Sequence, residues 1–190
     1  YADVIGGLLS AGGYDPETTA VLGNGLGAFV ALGTAVRHGE MFDRLALVGC
    51  GVGFDEAASA AFAGMIDRVR TGGMDAVVSV AVRRIFSEEY LAANPDALAE
   101  RAAVLRRTDP AAFIDACTAL MGMDYRSGAA DVVNPTLIVV GSEDQATSPA
   151  MARDLHAVLP NSELIELEGI AHAPQLQAPA GFLDVVARFL

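Results

Sequence analysis

The sequence predicts an α/β fold, a parallel sheet packed between helices and interrupted by an inserted helical block. Three observations predict it. Short apolar runs at Thr19–Leu22, Leu45–Val48, Thr136–Val140 and Leu164–Leu167 have the length and side chains of buried strands. Helical apolar spacing separates them, which is the alternation of a sheet covered on both faces. Residues 54–131 carry helical patterns alone, so they read as a cap between the two parts of a sheet-containing core, 1–53 and 132–190.

The elements follow in order. Val4, Ile5, Leu8 and Leu9 share one face of a first helix, which Gly12-Gly13 ends. Asp15-Pro16 marks a turn before the first strand. Gly23-Asn24-Gly25-Leu26-Gly27 then bends into a helix reaching about His38, with Gly39 as its C′ residue. Gly49-Cys50-Gly51 closes the second strand. In the helical block, Phe62, Met65, Ile66 and Val69 fall at i, i+3, i+4, i+7 before Gly72-Gly73. Asp75–Phe86 forms the next helix, and Asn94-Pro95 and Asp109-Pro110 each place a cap residue before a proline at N1. Ser148-Pro149 opens a helix after the third strand in the same way, and Ala178–Leu190 is the closing helix.

Composition bounds the function. Of 190 residues, 53% are hydrophobic and 19% charged, the balance of a folded globular chain. The net charge of −12, with every basic residue an arginine, argues against a nucleic-acid partner, which needs a cationic surface. Cys50 and Cys117 are too few for a disulfide framework or a metal site, and with no leader at Tyr1 they suggest a reduced, cytoplasmic protein. Ala20–Val36 approaches membrane-span length, but Asn24 and four glycines interrupt it. No membrane and no cofactor or metal is expected, and self-association into a homo-oligomer stays open.

In parallel sheets, functional groups gather beyond the carboxyl ends of the strands. Three such ends carry candidates: Gly25 after the first, Gly141-Ser142-Glu143-Asp144 after the third, and Gly169-Ile170-Ala171-His172 after the fourth. A lone loop histidine is ordinarily a surface residue, and it is the acid at the matching strand end that singles out His172. Glu143 competes with Asp144 for the acid role. Arg83, Arg84 and Arg126 suit a carboxylate substrate, or else bridge cap helices in solvent. Cys50 reads as an inert buried thiol or as a substitute nucleophile.

Together these residues resemble the α/β-hydrolase superfamily. Strand, Gly-x-x-x-Gly turn and helix match its nucleophile elbow, and the order of elbow, acid and histidine matches its triad. The cap, with Arg70-Thr-Gly-Gly-Met74, Ile85-Phe86 and Phe113-Ile-Asp-Ala-Cys117, is similar to that of 3-oxoadipate enol-lactonases. The resemblance implies a small-molecule ester or lactone substrate, His172 as general base, Asp144 as its orienting acid and the Leu26 N–H as an oxyanion donor. It also places several strands and a second oxyanion donor ahead of the helix at Tyr1, so that the first strand here would present an unpaired apolar edge.

The departure is Gly25, where the family carries the nucleophilic serine. Three readings follow. The chain derives from an ester or enol-lactone hydrolase, with Gly25 either introduced or tolerated through attack by water. Alternatively, His172 and Asp144 perform proton transfer in a non-hydrolytic isomerase, cyclase or decarboxylase. In the third reading, the fold is a catalytically inactive binding module.

Overall fold

The structure is a computed structural model that describes residues 1–190. Helix α1 (Ala2–Gly12) and a short turn lead into strand β1 (Ala20–Asn24), then helix α2 (Leu26–His38) and strand β2 (Arg44–Val48). Five helices follow without a strand: α3 (Glu56–Gly72), α4 (Asp75–Arg83), α5 (Glu88–Ala93), α6 (Pro95–Arg106) and α7 (Pro110–Gly122). Strand β3 (Thr136–Gly141), helix α8 (Pro149–Val158), strand β4 (Ser162–Leu167), the helical turn α9 (Pro174–Gln177) and helix α10 (Pro179–Phe189) complete the chain.

The four strands form one parallel sheet in the order β1-β2-β3-β4. All six residues of β3 are buried, as a β-branched run between two layers should be. On one face of the sheet, Phe29, Leu32, Leu45, Leu47, Ile138 and Leu155 join α2 and α8 to the strands. On the other, Val48, Leu137 and Val139 pack against Phe182 and Val186 of α10. Strand β1 lies at the sheet edge, with Leu22 exposed.

The helical segment has apolar clusters of its own. Phe62, Met65, Ile66 and Val69 are buried together with Val77 and Cys117, so the predicted i, i+3, i+4, i+7 face of α3 is the packed one. Asp55, Ser87 and Asp109 each accept a hydrogen bond from a first-turn N–H of the helix they precede. Helix α4 ends at Arg83 rather than at the expected Phe86, and two cap details also differ from the sequence reading. Asn94 makes no cap bond and donates instead to the Tyr90 carbonyl at 2.9 Å. Gly39 is right-handed (φ −60°) and continues into a 3₁₀ turn rather than ending α2 in the left-handed form.

Gln177 ties the helical segment to the loop after β4 through four hydrogen bonds. The Gln177 amide oxygen accepts from the N–H groups of Ala171 (3.1 Å) and Ser87 (3.3 Å). Its nitrogen donates to the Gly169 carbonyl (2.8 Å) and the Ser87 hydroxyl (2.7 Å). Two further bonds cross the same boundary, from the Ala173 N–H to the Ile85 carbonyl and from Arg84 to the Gln145 carbonyl.

Ile138 contributes no surface to solvent, so Ile138→Ala leaves a cavity at the centre of the sheet. It is expected to lower unfolding stability by about 2–5 kcal/mol, read from urea denaturation. Gln177→Ala strands two donors and two acceptors and is expected to cost about 1–3 kcal/mol in the same measurement.

Candidate active site

The site is built where the parallel strands end. Asn24 is the last residue of β1, and the chain turns at Gly25 with φ 56° and ψ −122° before entering α2. A positive φ is open to glycine at no steric cost. The Gly25 N–H still donates to the Val48 carbonyl at 2.9 Å, and the Gly25 carbonyl accepts from the N–H groups of Ala28 and Phe29 to start the helix. The Leu26 N–H makes no hydrogen bond within the protein, as expected of an orphan donor at a helix N-terminus.

The acid comes from the loop after β3. The Asp144 side chain is fully buried, and its Oδ1 accepts from the N–H groups of Ala146 (2.7 Å) and Thr147 (2.9 Å). Its Oδ2 lies 2.8 Å from His172 Nδ1 and 2.9 Å from the Thr147 hydroxyl. Glu143, the rival acid, is exposed. The histidine comes from the loop after β4. With Nδ1 donating to the Asp144 carboxylate, the lone pair of a neutral imidazole is on Nε2. Nε2 faces the elbow, 2.9 Å from the point a Cβ on residue 25 would occupy.

Asn24 locks these loops together. Its amide nitrogen donates to the carbonyls of Val48 (3.2 Å) and His172 (3.1 Å), and its oxygen accepts from Gln175 (3.1 Å). Thr147, Gln175 and Gln177 gave no signal in the sequence, because each acts through a partner on another loop. Asn24 was legible only as part of the turn.

Above the elbow lies a cavity of about 230 Å³. Leu26, Phe29, Phe54, Phe62, Met65, Ile85, Phe113 and Leu120 give it an apolar wall, and His172, Thr147 and Arg84 supply its polar groups. Of the three predicted arginines, only Arg84 reaches this cavity, where it donates to the Gln145 carbonyl at 2.9 Å. Arg83 pairs with Glu88 (3.0 Å) and Arg126 with Asp124 (2.7 Å), both in solvent. Arg126 instead lines an adjoining cleft that Arg84 also borders.

Cys50 is not at the site. It has no exposed surface, sits in the core cluster on the α2 face, and contributes nothing to the cavity wall. Burial pushes its thiol far above the ordinary range, against a small opposing effect of its contact with the Gly51 carbonyl. Burial also raises the Cys117 thiol, which borders the cavity, while the Arg84 guanidinium pulls it partly back. No cluster of three or more His, Cys, Asp or Glu side chains is present, and no helix is long and apolar enough to cross a membrane.

Elbow, acid and histidine on an α/β frame define the class. Residues 1–185 match the model of the alpha/beta hydrolase family, and the chain belongs to it. A pimeloyl-[acyl-carrier protein] methyl ester esterase from Aromatoleum aromaticum is 30% identical over 176 residues, 86% of this chain and 70% of that one. RutD of Serratia proteamaculans, named as a carbamate hydrolase, is 27% identical over 156 residues, 80% of this chain. The chain spans 58% of that protein's length, and 66% of the RutD of Agrobacterium fabrum.

Among solved structures, an alpha/beta hydrolase enzyme from a Medee basin deep-sea metagenome library superposes with a TM-score of 0.91 at 22% identity, over 99% of this chain and 70% of that one. The enol-lactonase of Burkholderia xenovorans LB400 superposes with a TM-score of 0.88 at 24% identity, over 98% and 70%. At these identities the likeness is one of fold.

Buried, protonated thiols make two measurements predictable. Neither cysteine is expected to react quickly with a thiol reagent at neutral pH, and both should react once the chain is unfolded in denaturant. Above the ordinary thiol range the unfolded chain loses protons that the folded chain keeps. Stability should therefore fall as pH rises there, by up to about 1.4 kcal/mol per pH unit for each withheld thiol.

Proposed function

We propose that the chain is part of a hydrolase of small carboxylic esters or lactones in which His172, held by Asp144, acts as general base on water. The observation that carries this reading is the convergence of three groups at one apolar cavity. His172 Nε2 is directed at Gly25, the Leu26 N–H is unengaged, and the residue between them has no nucleophilic atom. Relatives named as esterase, carbamate hydrolase and enol-lactonase support chemistry at an acyl carbonyl.

In this reading, Nε2 takes a proton as the water oxygen bonds to the carbonyl carbon. The Leu26 N–H, at the positive end of α2, donates to the developing oxyanion. When the carbonyl re-forms, the bond to the leaving oxygen breaks and the imidazolium returns the proton to that oxygen. Asp144 keeps the ring in the Nδ1–H form and balances the imidazolium charge. Phe54, Phe62, Met65 and Phe113 shelter the acyl chain, with α3–α7 serving as the cap. No acyl-enzyme forms at Gly25.

The absent nucleophile also favours a second reading, a non-hydrolytic enzyme in which the same pair moves a proton on a bound carbonyl compound. One pair of variants separates them. Gly25→Ser places a Cβ 2.9 Å from Nε2, so the ring has to yield by a few tenths of an ångström. That accommodated, hydrolysis of p-nitrophenyl acetate is expected to rise by about 10³-fold or more, and His172→Ala to abolish it. A Gly25→Ser protein no faster than the parent counts against the hydrolase. If His172→Ala nonetheless abolishes a carbonyl isomerisation or decarboxylation, the second reading takes its place.

A further inference from the structure

The imidazole of His172 lies against two glycines, not one. Strands β1 and β2 run in register, with Asn24 opposite Val48, so Gly25 and Gly49 leave the sheet side by side. Both have left-handed φ, 56° and 61°. Each still donates its N–H to the neighbouring strand, Gly25 to Val48 and Gly49 to Val139, both at 2.9 Å. Their backbones are therefore fixed by the ladder while their missing side chains leave room at one place. A Cβ on Gly25 would lie 2.9 Å from Nε2, and one on Gly49 would lie 2.9 Å from Cε1, from Nδ1 and from the Thr147 hydroxyl oxygen.

Thr147 closes the third side. Its hydroxyl is buried, 2.9 Å from Asp144 Oδ2 and 3.2 Å from His172 Nδ1. A threonine hydroxyl has one proton. Given to the carboxylate, it leaves an oxygen lone pair toward Nδ1, so the Nδ1 proton meets Asp144 with the threonine oxygen as a second acceptor. The same residue's N–H holds the other carboxylate oxygen at 2.9 Å. Thr147 thus grips both oxygens of Asp144 and the edge of the ring.

We infer that Gly49 and Thr147 are positioning residues for His172. Gly49 provides the space in which the ring lies, and Thr147 supports the tautomer that Asp144 sets, by orienting the carboxylate oxygen that receives the Nδ1 proton and offering its own oxygen as a second acceptor. Neither faces substrate as the reacting group; both act through the imidazole. The catalytic consequence rests on the proposed role of His172 as base, whereas the tautomer does not.

The test uses long-range proton–nitrogen NMR of the imidazole in the 190-residue chain, above the ordinary imidazole range of pH, alongside turnover of p-nitrophenyl acetate. The parent and Thr147→Ser should both show His172 protonated on Nδ1 alone. Thr147→Val, which keeps the shape and removes the hydroxyl, should show a mixture of the two tautomers. Its kcat should fall about tenfold or more while KM stays within about twofold, as for a misplaced catalytic group. Gly49→Ala should show the same mixture; if it fails to fold, the Thr147 pair decides alone. A Thr147→Val protein with the parent's tautomer overturns the inference. If the parent shows no turnover at all, the hydrolase reading fails while the tautomer comparison still decides this one.

Discussion

Every group at the candidate site depends on one constraint, that four strands run parallel and end together. Register places Gly25 beside Gly49, and the loops after β3 and β4 then arrive over them. No single loop holds the geometry. Asn24 bonds to the histidine loop, Thr147 to both Asp144 and His172, and the ladder pins both glycines. Positions separated by more than a hundred residues become hydrogen-bonded neighbours because β3, buried throughout, leaves the sheet no freedom to slip.

The chemistry follows from what lies on either side of the imidazole. Its Nδ1 is crowded by a buried carboxylate and a buried hydroxyl, and its Nε2 opens toward an apolar cavity. The proton is thereby assigned to one nitrogen and the lone pair to the other before any substrate binds. Gly25 changes the identity of what that lone pair meets, not the direction in which it is presented. In the low dielectric of a cavity walled by Phe54, Phe62 and Phe113, a single N–H donor at the start of α2 counts for more than it would in water.

Legibility in the sequence tracked the range of the interaction. Thr136–Val140 announced a doubly buried strand because its own composition is the cause. The four apolar residues of α3 were readable because helical period and burial coincide in them. Helices α5 and α9 were not, since six and four residues complete too little of a period to stand out. His172 and Asp144 were legible through a resemblance and through their places at strand ends. Thr147 gave no signal and Gly49 was legible only as the end of a strand, because what distinguishes them is a contact with a ring that local sequence does not mention. Cys50 follows a strand end, where functional groups gather, yet its side chain lies in the core.

Gln177 uses every hydrogen-bonding valence of its amide, two on the histidine loop and two on Ser87 at the start of α5. There is no slack in such a joint. Any rearrangement that lifts Ser87 away from the sheet must break bonds on the residue that also carries Gly169 and Ala171, three and one positions before the imidazole. The start of α5 and the loop that carries His172 are therefore held together by one side chain.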